Sequence, residues 1–278
     1  MVHRALLATL IVVVAAFAGC ADNGGGGAPT PGTSPATTTP GTTTPGTTPT
    51  TSPPGGQTTY VVGTDAAFPP FEDIDAQGNY VGYDIDVMQE IATRNGWTIE
   101  WRNVVFDVLI EQIRQGQIDM AISAMTIRPD RAEAVDFSLP YFVAENQAVT
   151  RRADETRTFE SLDDLAGLRV GVQAGTTGQF YMEDEFGEAT VVRYDTYPLA
   201  LQALRVGEVD VVVMDQPAQE RAAADDAAIE IAFLFEVNEE YGIAVRKGNS
   251  QLLDAINDAL TDMIDDGTIT TLRTKWGV

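Results

Sequence analysis

The chain has 278 residues, enough for one large domain or two smaller ones with a sizeable core. It carries 41 acidic residues against 17 basic ones, which gives a formal net charge of −24. A surface this negative repels nucleic acid and anionic lipid headgroups, so we expect neither as a binding partner. Two interpretations of the charge stay open: a solvated, soluble face, or an adaptation to high salt, where screening removes the self-repulsion.

Histidine and cysteine each occur once, as His3 and Cys20, near the N-terminus. The remainder of the chain therefore has no imidazole base, thiol nucleophile, His or Cys zinc site, or internal disulfide. These absences exclude Ser-His-Asp, Cys-His and zinc-hydrolase mechanisms. Carboxylate-based catalysis and an oxygen-ligated metal stay open.

Residues 1–20 have the pattern of a secretory signal: a short basic start and then an apolar run too brief for a membrane span. The run ends in FAGC at 17–20, which resembles the lipobox of prokaryotic lipoproteins, although Phe17 stands where leucine is usual. The resemblance implies lipidation of Cys20 and a mature protein anchored to the membrane without crossing it. The alternative is an ordinary secreted protein with one unusual cysteine.

Residues 21–59 consist almost wholly of Gly, Pro, Thr and Ser. The segment has no apolar periodicity, so it cannot bury enough surface to offset the entropy of ordering. We expect a disordered tether, kept extended by its prolines.

From Tyr60 onward, short β-rich runs alternate with helical periods. Residues 60–64 and 97–105 have strand patterns, and 83–95 has helical spacing that ends at Gly96. The alternation continues to about residue 231. It predicts an α/β fold with mostly parallel sheets.

One pattern occurs twice, about ninety residues apart. A helix, then Arg-x-Gly-x-[Ile/Val]-Asp, then a strand is read at 109–122 and again at 200–213. Chance similarity between two α/β turns is one explanation. The other is a pair of similar lobes, each offering the C-terminal end of a sheet to a shared cleft.

Several motifs carry a resemblance to a known family. They are GTDAAFPPFE at 63–72, VGYDID at 81–86, SAMTIRPDR at 123–131, DFS at 136–138, VGVQAGTT at 170–177, YGIA at 241–244, DGT at 266–268 and KW at 275–276. Together they resemble the amino-acid-binding proteins of ABC importers, the solute-binding family with glutamine-, histidine- and lysine/arginine-binding members. The resemblance covers about 60–276, in order and without large gaps.

The resemblance implies a two-lobed α/β fold of the periplasmic-binding-protein type II, with two hinge crossovers. Lobe 1 would comprise 60–140 plus 242–278, and lobe 2 would comprise 146–236. The hinge would lie at 141–145 and 237–241. The implied partners are a polar L-amino acid and the permease subunits of the importer, with no cofactor, no metal and no nucleic acid. The implied location is the outer face of the cytoplasmic membrane.

The resemblance also implies contacts for the α-carboxylate of the ligand. Arg131 matches the arginine whose planar fork can bond both carboxylate oxygens. Thr126 would add a hydroxyl and a backbone donor. Gly175, Thr176 and Thr177 would present N–H groups to the same carboxylate from the other lobe.

The rest of the ligand would meet a second set of residues. By the resemblance, Asp215 accepts the ligand ammonium, Phe68 and Phe106 flank the aliphatic part, and Asp65 with Ser123 selects the side chain. Each has an ordinary alternative from the residues alone: Asp215 as a helix N-cap, the two phenylalanines as plain core, and Asp65 as a turn cap.

We therefore predict a binding protein without catalytic residues. The alternatives are a cyclohexadienyl-dehydratase-like enzyme on the same fold and a ligand-sensing receptor domain. An enzyme of that kind needs no lipid or tether, and a receptor would normally be fused to a membrane span or output domain. A selector shell containing Asp65 and no obvious cation fits a neutral amide or a cationic side chain. Glutamine and arginine or lysine both stay open.

Overall fold

The computed structural model describes residues 58–278, apart from the side chain of residue 185. The predicted signal segment with its lipidation site Cys20, and the predicted tether up to residue 57, lie outside the described residues. Their assignment stays a prediction.

Over the described part, twelve strands and eight α-helices follow one another in frequent alternation. The strands are β1 (Thr59–Thr64), β2 (Asp73–Ile74), β3 (Tyr80–Val81), β4 (Thr98–Asn103), β5 (Met120–Ala121), β6 (Val135–Phe137), β7 (Phe142–Arg152), β8 (Arg169–Gln173), β9 (Thr190–Tyr194), β10 (Val211–Asp215), β11 (Ile229–Tyr241) and β12 (Ala244–Arg246). The helices are α1 (Tyr83–Asn95), α2 (Leu109–Gln115), α3 (Pro129–Ala134), α4 (Thr177–Phe180), α5 (Tyr197–Arg205), α6 (Gln216–Asp225), α7 (Ser250–Asp265) and α8 (Thr268–Trp276). Short 3₁₀ turns occupy Phe106–Val108 and Leu162–Leu165, and a π-helical turn, Tyr181–Phe186, continues α4.

Helix α1 forms where the apolar spacing predicted it. Ile85, Met88 and Ile91 are buried on one face, and the helix ends because Gly96 takes a left-handed φ of 68°. Helices α7 and α8, at the end of the chain, pack against α1 and against each other.

The strands assemble into two five-stranded sheets and a small two-stranded ribbon. The first sheet has the order β4-β1-β5-β12-β6, and the second has the order β11-β7-β10-β8-β9. In the first, β1 runs parallel to β4 and β5, while β12 runs antiparallel to β5 and β6. In the second, β8 runs parallel to β9 and β10, while β7 runs antiparallel to β10 and β11. This is the predicted α/β fold with two lobes.

The repeated sequence pattern occupies the same place in both sheets. Helix α2 leads to β5, and α5 leads to β10, and each of these strands is the middle one of its sheet. Each also has one parallel and one antiparallel neighbour. The arrangement favours two similar lobes over a chance similarity.

Strands β7 and β11 are the long ones, and they pair antiparallel from Phe142↔Tyr241 to Ile229↔Arg152. The predicted hinge segments, 141–145 and 237–241, fall at the paired end nearest the first sheet, where Tyr141 N–H donates to the Tyr241 carbonyl. Near that end β11 has one extra residue between Glu236 and Glu239, where Asn238 takes a φ of +53°. Such a bulge bends a strand and changes the direction of the side chains beside it. The finer lobe and hinge boundaries stay predictions.

No helix within 58–278 combines the length and apolar character needed to cross a membrane.

Candidate functional site

The polar residues predicted from the motifs converge on one cavity, which has about 340 Å³ of atom-free space including its opening to solvent. The cavity lies where β1, β5, β8 and β10 end, the edge at which open α/β sheets bind ligands. Its lining residues are Asp65, Phe68, Glu72, Phe106, Ser123, Ala124, Thr126, Arg131, Gln173, Thr176, Thr177, Met214 and Asp215. Of the ten predicted site residues, Gly175 alone is not in this lining, and it borders a neighbouring pocket.

Arg131 stands in the first turn of α3 and is only 6% exposed. Its Nη1 donates to the Thr126 carbonyl at 2.8 Å, its Nη2 donates to the Gly175 carbonyl at 2.8 Å, and its Cζ lies 5.2 Å from the centre of the Phe106 ring. Burial lowers the pKa of Arg131 to about 10, and the nearby Arg128 adds to the effect. The side chain therefore stays protonated at neutral pH.

No carboxylate within the described residues lies close enough to Arg131 to form an ion pair. A guanidinium has five N–H donors, and the two backbone carbonyls use two of them. The remaining donors are the kind that a carboxylate accepts in pairs. Arg131 is thus a buried cation held in place by neutral groups and lining a cavity.

The hydroxyl groups of two predicted site residues meet at a single carboxylate oxygen. Thr126 Oγ1 and Thr177 Oγ1 each donate to Glu239 Oε2 at 2.7 Å. Thr126 precedes α3, Thr177 opens α4, and Glu239 belongs to β11. The three residues therefore join one turn from each side of the cavity to β11.

Asp215 ends β10 at the N-cap position of α6, yet its side chain makes no capping bond to that helix. It accepts instead from Tyr241 Oη at 2.6 Å and from Gln147 Nε2. Gln147 lies on β7 and Tyr241 on β11, so both long strands hold this carboxylate. Burial raises the pKa of Asp215, and the charge of Glu239 raises it further. A cation arriving beside Asp215 would favour its ionised form.

Asp65 follows β1 and forms hydrogen bonds to both sides of the cavity. Its Oδ2 accepts from the Phe106 backbone N–H at 3.1 Å and from Gln173 Nε2 at 2.7 Å. Burial raises the pKa of Asp65. Because the partners lie on other segments, the side chain does not act as a cap of its own turn. Its backbone N–H donates to Ser123 Oγ at 2.9 Å, which fixes the predicted selector pair relative to one another.

The two predicted aromatic residues have different surroundings. Phe68 is buried, and its ring packs 5.9 Å from Phe71 and 5.5 Å from Tyr197, so it belongs to the core as well as to the cavity wall. Phe106 is partly buried and lies under the Arg131 guanidinium. Both are placed to flank an aliphatic chain.

The turn from 175 to 177 uses its groups differently from the prediction of N–H donors aimed at a ligand. The Gly175 N–H donates to Gln179 Oε1 at 2.8 Å, while the Gly175 carbonyl holds Arg131. The Thr176 hydroxyl donates to the Gln173 carbonyl at 2.8 Å and caps α4. The turn therefore contributes two groups to the site: the Thr177 hydroxyl, and the Gly175 carbonyl that holds the Arg131 guanidinium in place.

Glu72 and Asp84 form a pair of buried carboxyl groups behind the Ser123 wall. Ser123 Oγ donates to Glu72 Oε1 at 2.8 Å, while Asp84 Oδ2 accepts from Ala124 N–H and Tyr141 Oη, each at 2.7 Å. Glu72 Oε2 and Asp84 Oδ1 are fully buried, and neither has a hydrogen-bond partner among the described residues. Burial raises the pKa of both groups. We expect one proton to be held between the two carboxyl groups, because a shared proton would give each of these oxygens a partner.

Sequence reasoning assigned no role to Glu72, Gln173, Met214 or Glu239. Glu72 and Gln173 stand inside quoted motifs, and for Gln173 the available signal was an amide at the end of an apolar strand. Glu239 gave no such signal, because its position depends on the bulge in β11.

Comparisons with known proteins identify the family. The model of the bacterial extracellular solute-binding proteins, family 3, matches residues 60–278. The chain belongs to this family. The putative ABC transporter arginine-binding protein 2 of Escherichia coli K12 is 34% identical over 218 residues, 77% of this chain and 88% of that protein. The L-cystine-binding protein TcyJ of the same strain is 31% identical over 219 residues, 78% of this chain and 82% of that protein.

Solved structures of similar fold include an ancestral arginine-binding protein, known bound to arginine and bound to glutamine. Each form matches with a TM-score of 0.75 and 39% identity over 79% of this chain and 98% of the other. The ancestral amino-acid-binding protein AncCDT-1, described as a precursor of cyclohexadienyl dehydratase, matches with a TM-score of 0.73 and 33% identity, covering 78% and 95% of the two chains.

Proposed function

We propose that this protein binds a polar L-amino acid in the cavity between its lobes and delivers it to the permease of an ABC importer. The observation that carries the proposal is Arg131, a buried cation with spare donors and no carboxylate of its own. Asp215 lines the same cavity and supplies the opposite charge. A zwitterion brings a carboxylate to the first and an ammonium to the second.

The side chain of the ligand would be neutral and polar, or cationic. Asp65 and Glu72 line the cavity together with Ser123, and Arg131 is the only cationic residue among its lining. With Arg131 taken by the α-carboxylate, an acidic side chain would find no cation and would be repelled. The arginine and glutamine complexes of the ancestral arginine-binding protein support the same two candidates.

The protein would act outside the cell, held to the membrane by a lipid on Cys20 and separated from it by the segment 21–59. The family is described as extracellular, and relatives in it are named as periplasmic or extracellular proteins, which supports the location. We expect Cys20→Ser to release a folded, ligand-competent protein into the medium. Equal retention of parent and variant in a detergent-partition assay would contradict the anchor.

We infer that the ligand leaves unchanged. The relative described as a precursor of a dehydratase is itself an amino-acid-binding protein, and residues 58–278 contain neither histidine nor cysteine. Prephenate and arogenate are the substrates to try against the dehydratase alternative. Mass spectrometry after long incubation is expected to recover both intact, and protein-dependent conversion of either would favour the enzyme.

A thermal-shift screen of the twenty amino acids tests the proposed function directly. A ligand at 100 times its dissociation constant stabilises the folded state by about 2.7 kcal/mol, so a true ligand raises the unfolding temperature clearly. We expect arginine, lysine or glutamine to give the largest shift and aspartate and glutamate to give none. Isothermal titration then measures the affinity. A flat response to all twenty would refute the proposal.

A further inference from the structure

Glu239 is a carboxylate within the structure that accepts hydrogen bonds from the hydroxyl groups of two predicted ligand-binding residues. Its Oε2 accepts from Thr126 Oγ1 and Thr177 Oγ1, both at 2.7 Å. Each hydroxyl has one hydrogen to donate, so neither can serve a second acceptor while these bonds last. Sequence motifs drew attention to the two threonines and gave no role to the glutamate.

The local backbone of β11 directs Glu239, and not its neighbour Glu240, toward the two threonines. The extra residue between Glu236 and Glu239 and the left-handed φ of Asn238 set the direction of its side chain. Glu239 is half-buried, and with Thr126 and Thr177 it also lines the groove that leads out of the cavity. The neighbouring Glu240 is exposed and makes no hydrogen bond to either threonine.

The charge of Glu239 also acts on the two ends of the proposed ligand site. It stabilises the protonated form of Arg131, and it adds to the raised pKa of Asp215. A ligand α-carboxylate beside Arg131 would face a like charge on Glu239 and hydroxyl donors already in use. It would have to take over both hydroxyls and move the glutamate aside.

We propose that Glu239 is an internal competitor for the ligand α-carboxylate, which the ligand displaces from the hydroxyls of Thr126 and Thr177. The inference rests on the proposed function, because it concerns the same site. Breaking the two Glu239 hydrogen bonds costs free energy, which weakens binding. The cost is the same for every amino-acid ligand, because each one has the same α-carboxylate. Glu239 thereby sets affinity without selecting the side chain.

The test compares Glu239→Gln and Glu239→Ala with the parent by isothermal titration. Glu240→Gln serves as the matched control, since it removes the same charge from the adjacent position. The probes are L-arginine and L-glutamine, each used beside its α-carboxamide. Releasing two charge-assisted hydrogen bonds should tighten binding of the bound amino acid at least about fivefold in both Glu239 variants. The control should stay within about twofold.

The α-carboxamides distinguish competition between Glu239 and the ligand α-carboxylate from a general effect of the Glu239 charge on affinity. They have no α-carboxylate, so the Glu239 variants should gain nothing with them. In a Thr177→Val background, where one hydroxyl is absent, the gain from Glu239→Gln should shrink, which a double-mutant cycle measures.

The outcomes distinguish this inference from the proposed function. If the parent binds none of the probes and no amino acid in the screen, the proposed function fails and the inference fails with it. If the parent binds but both Glu239 variants bind equally or more weakly, the inference alone is overturned, and Glu239 is then a ligand contact or a structural hinge residue. Equal gains with amino acid and carboxamide would also overturn it.

Discussion

Arg131 has an environment that an ordinary surface arginine never meets. It is buried, fixed by the carbonyls of Thr126 and Gly175, and it forms no ion pair with a carboxylate among the described residues. Desolvation of such a charge is costly unless a counter-charge arrives. The prediction that Arg131 receives a ligand carboxylate follows from that physical situation as well as from the motif around it.

Replacing Arg131 tests the carboxylate contact. Arg131→Ala should weaken binding of the best amino acid by about 2–5 kcal/mol, because it leaves the ligand carboxylate desolvated and unpaired. That is at least about a thirtyfold loss of affinity. Arg131→Lys should recover part of it only, since a point charge lacks the two-pronged geometry.

Isothermal titration measures both variants, and Arg102→Ala is the control. Arg102 lies on β4 away from the cavity with 42% of its side chain exposed, so its removal should change affinity less than about threefold. Binding by Arg131→Ala within a factor of about three of the parent would show that the carboxylate contact is misassigned.

Glu72 and Asp84 illustrate how a buried pair changes the dependence of stability on pH. Burial raises the pKa of Asp84 to about 7 and raises that of Glu72 as well, while carboxyl groups in an unfolded chain titrate near pH 4. Between about pH 4 and 7 the folded protein therefore binds more protons than the unfolded one. The stabilisation is complete below about pH 4 and is lost as the pH rises through the folded-state pKa.

Glu72→Gln should reduce the loss of stability with rising pH, because the introduced amide has N–H donors at all pH values where the parent depends on the expected shared proton. We expect the variant to be more stable than the parent at pH 8 and to lose less free energy of unfolding between pH 5 and 8. Asp65 and Asp215 also have raised pKa values, so part of the pH dependence of the free energy of unfolding should persist in the variant. Denaturant unfolding at each pH measures it, with Glu240→Gln as control. Parallel curves for parent and variant would rule out the shared proton.

At the scale of elements, local signals predicted the regular structure well. Helix α1 spans the predicted 83–95, and the predicted strands at 60–64 and 97–105 appear as β1 and β4 with slightly different ends. The repeated pattern predicted the two middle strands. Periodicity, glycine at a helix end and strand composition are properties of neighbouring residues, so one sequence carries them.

Contacts between elements that are distant in the chain could not be predicted from the sequence. Nothing near Asp215 indicates that Gln147 and Tyr241, from the two long strands, hold its carboxylate. The direction of Glu239 depends on one extra residue in β11, which only the pairing with β7 reveals. Motifs therefore predicted which residues gather at the cavity, while the structure was needed for the bonds among them.

For the whole molecule, the net charge of −24 is the property that no local contact explains. Fifteen ion pairs are formed within the described residues, and nearly all involve exposed side chains whose contribution is small. The excess of carboxylates therefore repels itself across the surface. Salt shortens the range of that repulsion, from about 10 Å at 0.1 M to about 3 Å at 1 M.

If the charge is an adaptation to high salt, the unfolding temperature should rise as potassium chloride increases from 0.1 M into the molar range. A variant with Glu188, Glu236 and Glu240 changed to glutamine is the control, since these exposed side chains form none of the ion pairs. It should be more stable than the parent at low salt and should gain less from added salt, because less repulsion is left to screen. Differential scanning calorimetry of both proteins measures the effect. Maximum stability of the parent at low salt would instead favour a merely solvated acidic face.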